Sequence, residues 1–307
     1  MKNQNNYFIP ADIPEKKHAT FIKNYNAITR QTGRLFLFSC DHKIEHLNDD
    51  FYGPTINTQT LHPEHLFRIA SQGNIGAMAT HLGLIARYAK QYNSINYIVK
   101  LNAKTNLIPT EQQDPKNALL WTISDVINFQ QYNPEIAITG IGITIYLGSE
   151  YETEQLAQAA HIITQAHNEG LVTIIWMYPR GKALNDRTFN PNLIAGAAGI
   201  ALSLGADFIK LKTPQNTSLL TATENLKIAS AAAGNTKIIC SGGKTINPQD
   251  YLAEIYDQIH TGDTAGTATG RNIFQRSLNE SIALTQAISS IIYDNGDLKT
   301  SISLLSS

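Results

Sequence analysis

Eight times along this chain a short run of β-forming residues gives way to a longer stretch with helical patterning. The strand runs fall at 34–41, 75–80, 96–102, 139–146, 172–178, 207–212, 237–241 and 265–269. Helical stretches such as 152–169, 191–204, 218–233 and 248–261 lie between them, and glycines at 170, 205, 234 and 262 supply stop signals. Runs such as Thr173-Ile174-Ile175-Trp176-Met177 and Lys237-Ile238-Ile239-Cys240 are almost continuously apolar. Parallel strands covered on both faces read this way. About eight β-then-α units, with no biased linker and no internal repeat, predict an α/β chain folded as a single-domain (β/α)8 TIM barrel. An open doubly wound sheet is the alternative. The barrel is expected over 32–294, after an N-terminal extension (1–31) and before a polar C-terminal tail (295–307). The longest irregular stretch, 103–119, carries Pro109 and Pro115 and reads as a loop over the barrel mouth.

Composition narrows the class of partner. The chain has 24 basic and 25 acidic residues, a net charge of −1, so no basic face suited to a nucleic-acid backbone is implied. The segment 1–14 lacks the apolar centre of a signal peptide, and no apolar run approaches the roughly 20 residues that span a bilayer. Cys40 and Cys240 are the only cysteines, too few for a disulfide framework. A cytoplasmic enzyme acting on a small molecule is the expectation, with neither nucleic acid nor membrane as partner.

In a (β/α)8 barrel the reacting groups project from the C-terminal ends of the strands. Polar residues gather there: Ser39-Cys40-Asp41, Lys100-Leu101-Asn102, Trp176-Met177-Tyr178, Lys210-Leu211-Lys212, Ser241-Gly242-Gly243 and Gly270-Arg271-Asn272. Alternation places Phe208, Lys210 and Lys212 on one face of the sixth strand, and Ile209 and Leu211 on the other. The apolar pair suits the helix layer, which turns both lysines inward. Burial disfavours an ammonium, and a second cation two residues away depresses its pKa further, favouring a neutral amine that can attack a carbonyl. The alternative is a structural lysine paired with an acid such as Asp41. Tyr178 shares a face with Trp176; it reads as a proton donor or acceptor, or as a core tyrosine with a satisfied hydroxyl. The turns at Ser241-Gly242-Gly243 and Gly270-Arg271 occupy the place where many barrels bind phosphate, and an arginine can grip two of its oxygens. Arg180, Lys100 and Lys212 complete the candidate substrate-binding set.

Three motifs come close and fail. His42-Lys43-Ile44-Glu45-His46 spells the H-x-x-E-H of a zinc peptidase, but it follows a strand end and reads as a loop. Gly243-Lys244-Thr245 lacks the leading glycine of a P-loop, because Ile238 stands there. Gly140-Ile141-Gly142 lacks the third glycine of a dinucleotide turn, because Ile145 stands there. Neither metal nor cofactor is expected.

Taken together, the landmarks resemble the archaeal-type class I fructose-bisphosphate aldolases. They are Asp41-His42 with Glu45-His46, Lys100-Leu101-Asn102 with Lys104-Thr105, and Tyr146-Leu147-Gly148-Ser149, then Trp176-Met177-Tyr178-Pro179-Arg180-Gly181. Next come Gly205 to Lys210, Ser241-Gly242-Gly243 and Gly270 to Arg276. The resemblance implies a metal-independent lyase with Lys210 as the Schiff-base lysine and Tyr178 as the acid/base. It also implies Trp176 and Asp41 around the reacting carbon, a sugar phosphate as substrate and a homo-oligomeric assembly. The expected reaction is reversible cleavage of fructose 1,6-bisphosphate to dihydroxyacetone phosphate and glyceraldehyde 3-phosphate. Alternatives are a related lysine-dependent aldolase, synthase or thiolase for another phosphorylated ketone, and a non-catalytic phosphate-binding barrel. The chain departs from the family pattern at Lys43, at Leu47-Asn48 and at Leu147, all on loops over the site.

Overall fold

A computed structural model describes residues 8–46, 48–107, 114–185 and 187–306. Eight parallel strands close into a barrel: β1 Leu35–Ser39, β2 Ala77–His81, β3 Tyr97–Lys100, β4 Ile138–Leu147, β5 Val172–Pro179, β6 Phe208–Leu211, β7 Lys237–Ser241 and β8 Gly266–Thr269. Each pairs with the next in sequence, and β8 returns to β1 through Leu35 opposite Gly266. All eight expected strands are present, and the doubly wound alternative is excluded.

The apolar residues form two cores separated by the sheet. One fills the barrel, with Leu35, Leu37, Ala79, Ile98, Val172, Ile174, Trp176, Phe208 and Ile239. The other lies between barrel and helices, with Phe36, Phe38, Val99, Ile175, Met177, Ile209 and Leu211. Alternate residues of one strand thus feed different cores, which is why β1 and β5 read as unbroken apolar runs. The glycines of β4 serve the inner core. A Cβ on Gly142 would sit 2.3 Å from the Trp176 ring. A Cβ on Gly140 would meet the Val172 carbonyl oxygen at 2.3 Å, so the Gly140-Ile141-Gly142 pattern is space made for an indole and a neighbouring strand, with no tie to nucleotide binding.

The N-terminal residues close the bottom of the barrel. Helix α1 (His18–Thr29) sends Phe21 and Ile28 into the inner core, and Tyr25 stacks on Phe208 with ring centres 5.6 Å apart. A buried ion cluster seals this end. His167, near the end of α6 (Glu152–Asn168), places Nδ1 2.7 Å from Asp12 and Nε2 3.2 Å from Asp207. Asp207 also accepts from the Thr173 amide at 2.8 Å and its hydroxyl at 3.0 Å. Burial pushes the imidazolium down, but hydrogen bonds and charge from Asp207 and Asp12 outweigh it and raise the pKa to about 9.

A raised histidine pKa contributes stability that is complete below its unfolded value near 6.5 and lost as pH climbs through about 9. Thermal melts from pH 6 to 10 should show wild type losing stability over that window, on the order of 3 kcal/mol at most. His167→Gln should start lower and lose less. Parallel curves for the two proteins would mean His167 is not charged.

The C-terminal residues differ from the expected polar tail. After α11 (Leu278–Tyr293), residues 298–303 form α12 (Leu298–Ser303), capped by the Asp297 side chain on the Thr300 amide. Leu298, Ile302 and Leu305 pack on the outer core. Their spacing is a one-sided helical stripe in otherwise Ser/Thr-rich sequence. In the stretch expected to be irregular, Asn102–Ala103 pairs antiparallel with Ala118–Leu119, and residues 108–113 lie outside the described residues. Helix α8 (Ala222–Ala233) begins four residues later than the expected 218, after a capping box between Thr221 and Glu224.

Candidate active site

Lys210 rises from β6 into the barrel. Ile209 and Leu211 belong to the outer core, so alternation turns Lys210 inward, where it is 5% exposed. Its Nζ donates to Ser39 Oγ at 3.0 Å and lies 5.3 Å from the centre of the Trp176 ring. Burial lowers its pKa; Asp41 and Glu45 oppose that shift, while Lys100 and Arg271 add to it. The expected depressing cation, Lys212, is not among these causes. Lys212 lies past the end of β6, half-buried, with its ammonium 4.5 Å above Phe189. Sequence spacing placed the right sign of charge near Lys210 but on the wrong residue.

Asp41 is 4% exposed. Burial pushes its carboxyl up, but Lys210, His42, Lys100 and His81 hold it well below the usual carboxylate range, as an anion. Its role toward Lys210 is one of charge, since Ser39 takes the hydrogen bond. Tyr178 ends the inward row of β5. Burial and the carboxylates of Asp41 and Glu45 hold its phenol well above the ordinary value, Arg180 opposing, so it is a proton donor at neutral pH. Tyr146 lies beside it, ring centres 6.4 Å apart.

One cleft of about 140 Å3 is lined by Tyr178, Arg180, Lys210, Lys212, Ser241, Gly242, Gly243, Gly270 and Arg271. These are nine of the twelve residues singled out from sequence. Trp176 and Asp41 lie beneath it. Gly243 adopts φ +64, which a side chain would strain, and a Cβ on Gly270 would collide with the His42 ring at 2.3 Å. Arg271 opens α10 (Arg271–Phe274) and is anchored by its Nε on the Gly243 carbonyl at 3.1 Å.

Lys100 requires a correction. Placed by sequence among the substrate-binding groups, it is 0% exposed, below the cleft. Its ammonium is taken up by Glu45 Oε1 at 3.2 Å, the Asn102 carbonyl at 2.9 Å and Asn102 Oδ1 at 3.3 Å. It also sits 5.5 Å from the Trp176 ring centre, so one indole lies against both buried lysines. Alternation gave its face correctly but carried no information on depth.

Glu45, the acid that neutralises Lys100, lies within the His42-to-His46 motif, whose spacing gives no sign of this pairing. Residues expected to form a loop make a single helical turn, α2 (His42–Glu45), which brings Glu45 to the cleft wall and sets His42 edge-to-face against His46, ring centres 4.8 Å apart. Burial lowers the pKa of His42 to about 3, against the pull of Asp41, so it is neutral. Among the described residues no three His, Cys, Asp or Glu side chains are grouped to hold a metal. Nor, among those residues, is any helix long and apolar enough to cross a membrane.

A family model described as DeoC/LacD family aldolase matches residues 35–276. The chain belongs to the DeoC/LacD aldolase family. This aldolase is 45% identical over 296 residues to a Methanocaldococcus jannaschii protein named fructose-bisphosphate aldolase/6-deoxy-5-ketofructose 1-phosphate synthase, covering 96% of this chain and 93% of that one. It is 30% identical over 268 residues to a Halobacterium salinarum fructose-bisphosphate aldolase class 1, covering 87% and 93%. A solved fructose-bisphosphate aldolase from Slackia heliotrinireducens superimposes with a TM-score of 0.96 at 47% identity, over 99% of this aldolase and 95% of that chain. An archaeal fructose-1,6-bisphosphate aldolase, solved with its catalytic lysine bound to the carbinolamine intermediate, superimposes at 0.75 and 26% identity, over 89% and 99%. The resemblance read from the landmarks to the archaeal-type class I aldolases is borne out.

Proposed function

We propose that this aldolase cleaves fructose 1,6-bisphosphate reversibly to dihydroxyacetone phosphate and glyceraldehyde 3-phosphate through an imine at Lys210. The observation that carries the reading is a buried lysine with a lowered pKa, sharing one cleft with a protonated phenol and two glycine turns flanked by arginine. The names of the relatives support the substrate. The Lys210 amine attacks the C2 carbonyl to give a carbinolamine, and loss of water from it leaves an iminium ion. Electrons from the C3–C4 bond flow into the iminium as that bond breaks, so the covalent nitrogen serves as the electron sink. Tyr178 gives its proton to the departing carbinolamine hydroxyl, and the phenolate so formed takes the C4 hydroxyl proton as the aldehyde leaves. Protonation of the enamine at C3 and addition of water to the renewed iminium then release dihydroxyacetone phosphate and the free Lys210 amine. In the reverse direction Tyr178 supplies the proton to the aldehyde oxygen. Asp41 stabilises the iminium charge. Phosphate is held by the backbone amides of Gly243 and Gly270 with the Arg271 guanidinium, since the Gly242 amide is already given to the Ala268 carbonyl at 3.3 Å, and Arg180 and Lys212 suit the second phosphate. A homo-oligomeric assembly and a cytoplasmic setting belong to the same reading.

A second reading is favoured by the double name of the Methanocaldococcus jannaschii relative. Synthesis of a deoxyketose phosphate would use the same lysine with a different aldehyde acceptor. Borohydride added to the protein with dihydroxyacetone phosphate should reduce the imine and add its mass to the peptide containing Lys210. Steady-state rates for cleavage of fructose 1,6-bisphosphate and of deoxyketose phosphates then choose between the readings. An adduct on Lys212 or Lys100, or none on any lysine, would overturn both.

A further inference from the structure

Arg271 is not a free guanidinium. Besides its bond to the Gly243 carbonyl, one terminal nitrogen lies 3.4 Å from Asp50 Oδ1, a carboxylate on the loop after β1. The other oxygen of that carboxylate is taken by Nδ1 of His46, four residues earlier. Asp50 is fixed against the β8 arm, because its carbonyl accepts from Gln275 Nε2 at 2.8 Å and the adjacent Phe51 stacks on Phe274 at 5.1 Å. Burial pushes the Asp50 carboxyl up, but the His46 hydrogen bond and the charges of His46 and Arg271 hold it below its ordinary value. His46 and Arg271 line the cleft, and Asp50 stands behind them.

A phosphate arriving at Arg271 therefore meets a guanidinium whose charge is already partly answered, and brings its own negative charge close to a carboxylate. Like charges at such range disfavour the ligand. His46 works the other way, since each share of the carboxylate it holds is withdrawn from the arginine. We propose that Asp50 is a specificity-determining residue that weakens the hold of the Arg271 turn on the substrate phosphate, with His46 as the group that moderates it. The proposal rests on the reading that the ketose phosphate binds at Arg271. It predicts substitutions with opposite signs on one loop. A merely structural role for the loop would give the same sign to both.

The test is calorimetric titration of the full chain with inorganic phosphate and with dihydroxyacetone phosphate. Asp50→Asn keeps the side-chain volume and loses the charge, and should tighten both ligands by about tenfold. Asp50→Ser, also neutral, should move in the same direction. His46→Phe keeps a ring against His42, removes the nitrogen, and should loosen both ligands several-fold. Borohydride trapping of unphosphorylated dihydroxyacetone at Lys210 should be equal in all four proteins, because that ligand does not use Arg271. Looser phosphate binding in the Asp50 variants would show a brace on Arg271 and overturn the proposal, as would unchanged binding. Absence of any trapped adduct in wild type would instead remove the lysine mechanism, leaving the phosphate titrations to be judged separately.

Discussion

Lys210→Ala should lower turnover by roughly 10^4-fold or more, the scale on which enzymes lose activity when a covalent nucleophile is removed. No other amine in the site is placed to replace it. Lys100 is spent on Glu45 and Asn102 beneath the cleft, and Lys212 sits out over Phe189. Truncation also deprives Asp41 of the cation that does most to hold its carboxyl ionised, though Lys100 still acts in the same direction. Inorganic phosphate should still bind, because the turns at Gly242-Gly243 and Gly270-Arg271 are built without Lys210. Steady-state kinetics together with a phosphate titration check both halves. Turnover within tenfold of wild type would exclude imine chemistry at this position.

Tyr178→Phe should cut turnover by about a hundred- to ten-thousand-fold with little change in KM, the loss expected for a positioned acid/base group. The phenol is set beside Tyr146 and held in its protonated form by burial and by Asp41 and Glu45. The ring itself is kept in the variant, so packing is preserved. Single-turnover trapping separates the steps: the imine should still form with dihydroxyacetone phosphate while condensation with the aldehyde slows. Near-normal turnover would leave Tyr178 as a packing residue and move proton transfer to Asp41.

The barrel was legible because strands such as β5 and β7 are buried on both faces and read as apolar runs with ends marked by polar residues or glycine, whereas β8, Gly266 to Thr269, holds only one apolar side chain. Lys210 was legible for the same reason, as one polar position in a strand whose neighbours point into the helix layer. What sequence spacing does not encode is which loop folds back over which strand. Glu45 reaches Lys100 across 55 residues, and the single helical turn carrying it has neither a side-chain cap nor a length that shows periodicity. Lys100 was therefore read as open to substrate when it is already paired. The tail helix was hidden by its serines and threonines, since four apolar positions within eight residues read as scatter until a surface to receive them is known.

Trp176 is one of two tryptophans in the chain, 1% exposed, and the ammonium groups of Lys210 and Lys100 lie 5.3 and 5.5 Å from the centre of its ring, with Gly142 cleared to admit it. A change of charge on Lys210 is therefore expected to act on that ring at short range. Conversion of the Lys210 amine to an iminium changes the local field on that ring, whereas Trp121, set among the outer-core residues, does not face the reacting nitrogen. An imine at Lys210, as proposed, would form 5.3 Å from the centre of a solvent-shielded indole, so its formation should register as a change in Trp176 fluorescence.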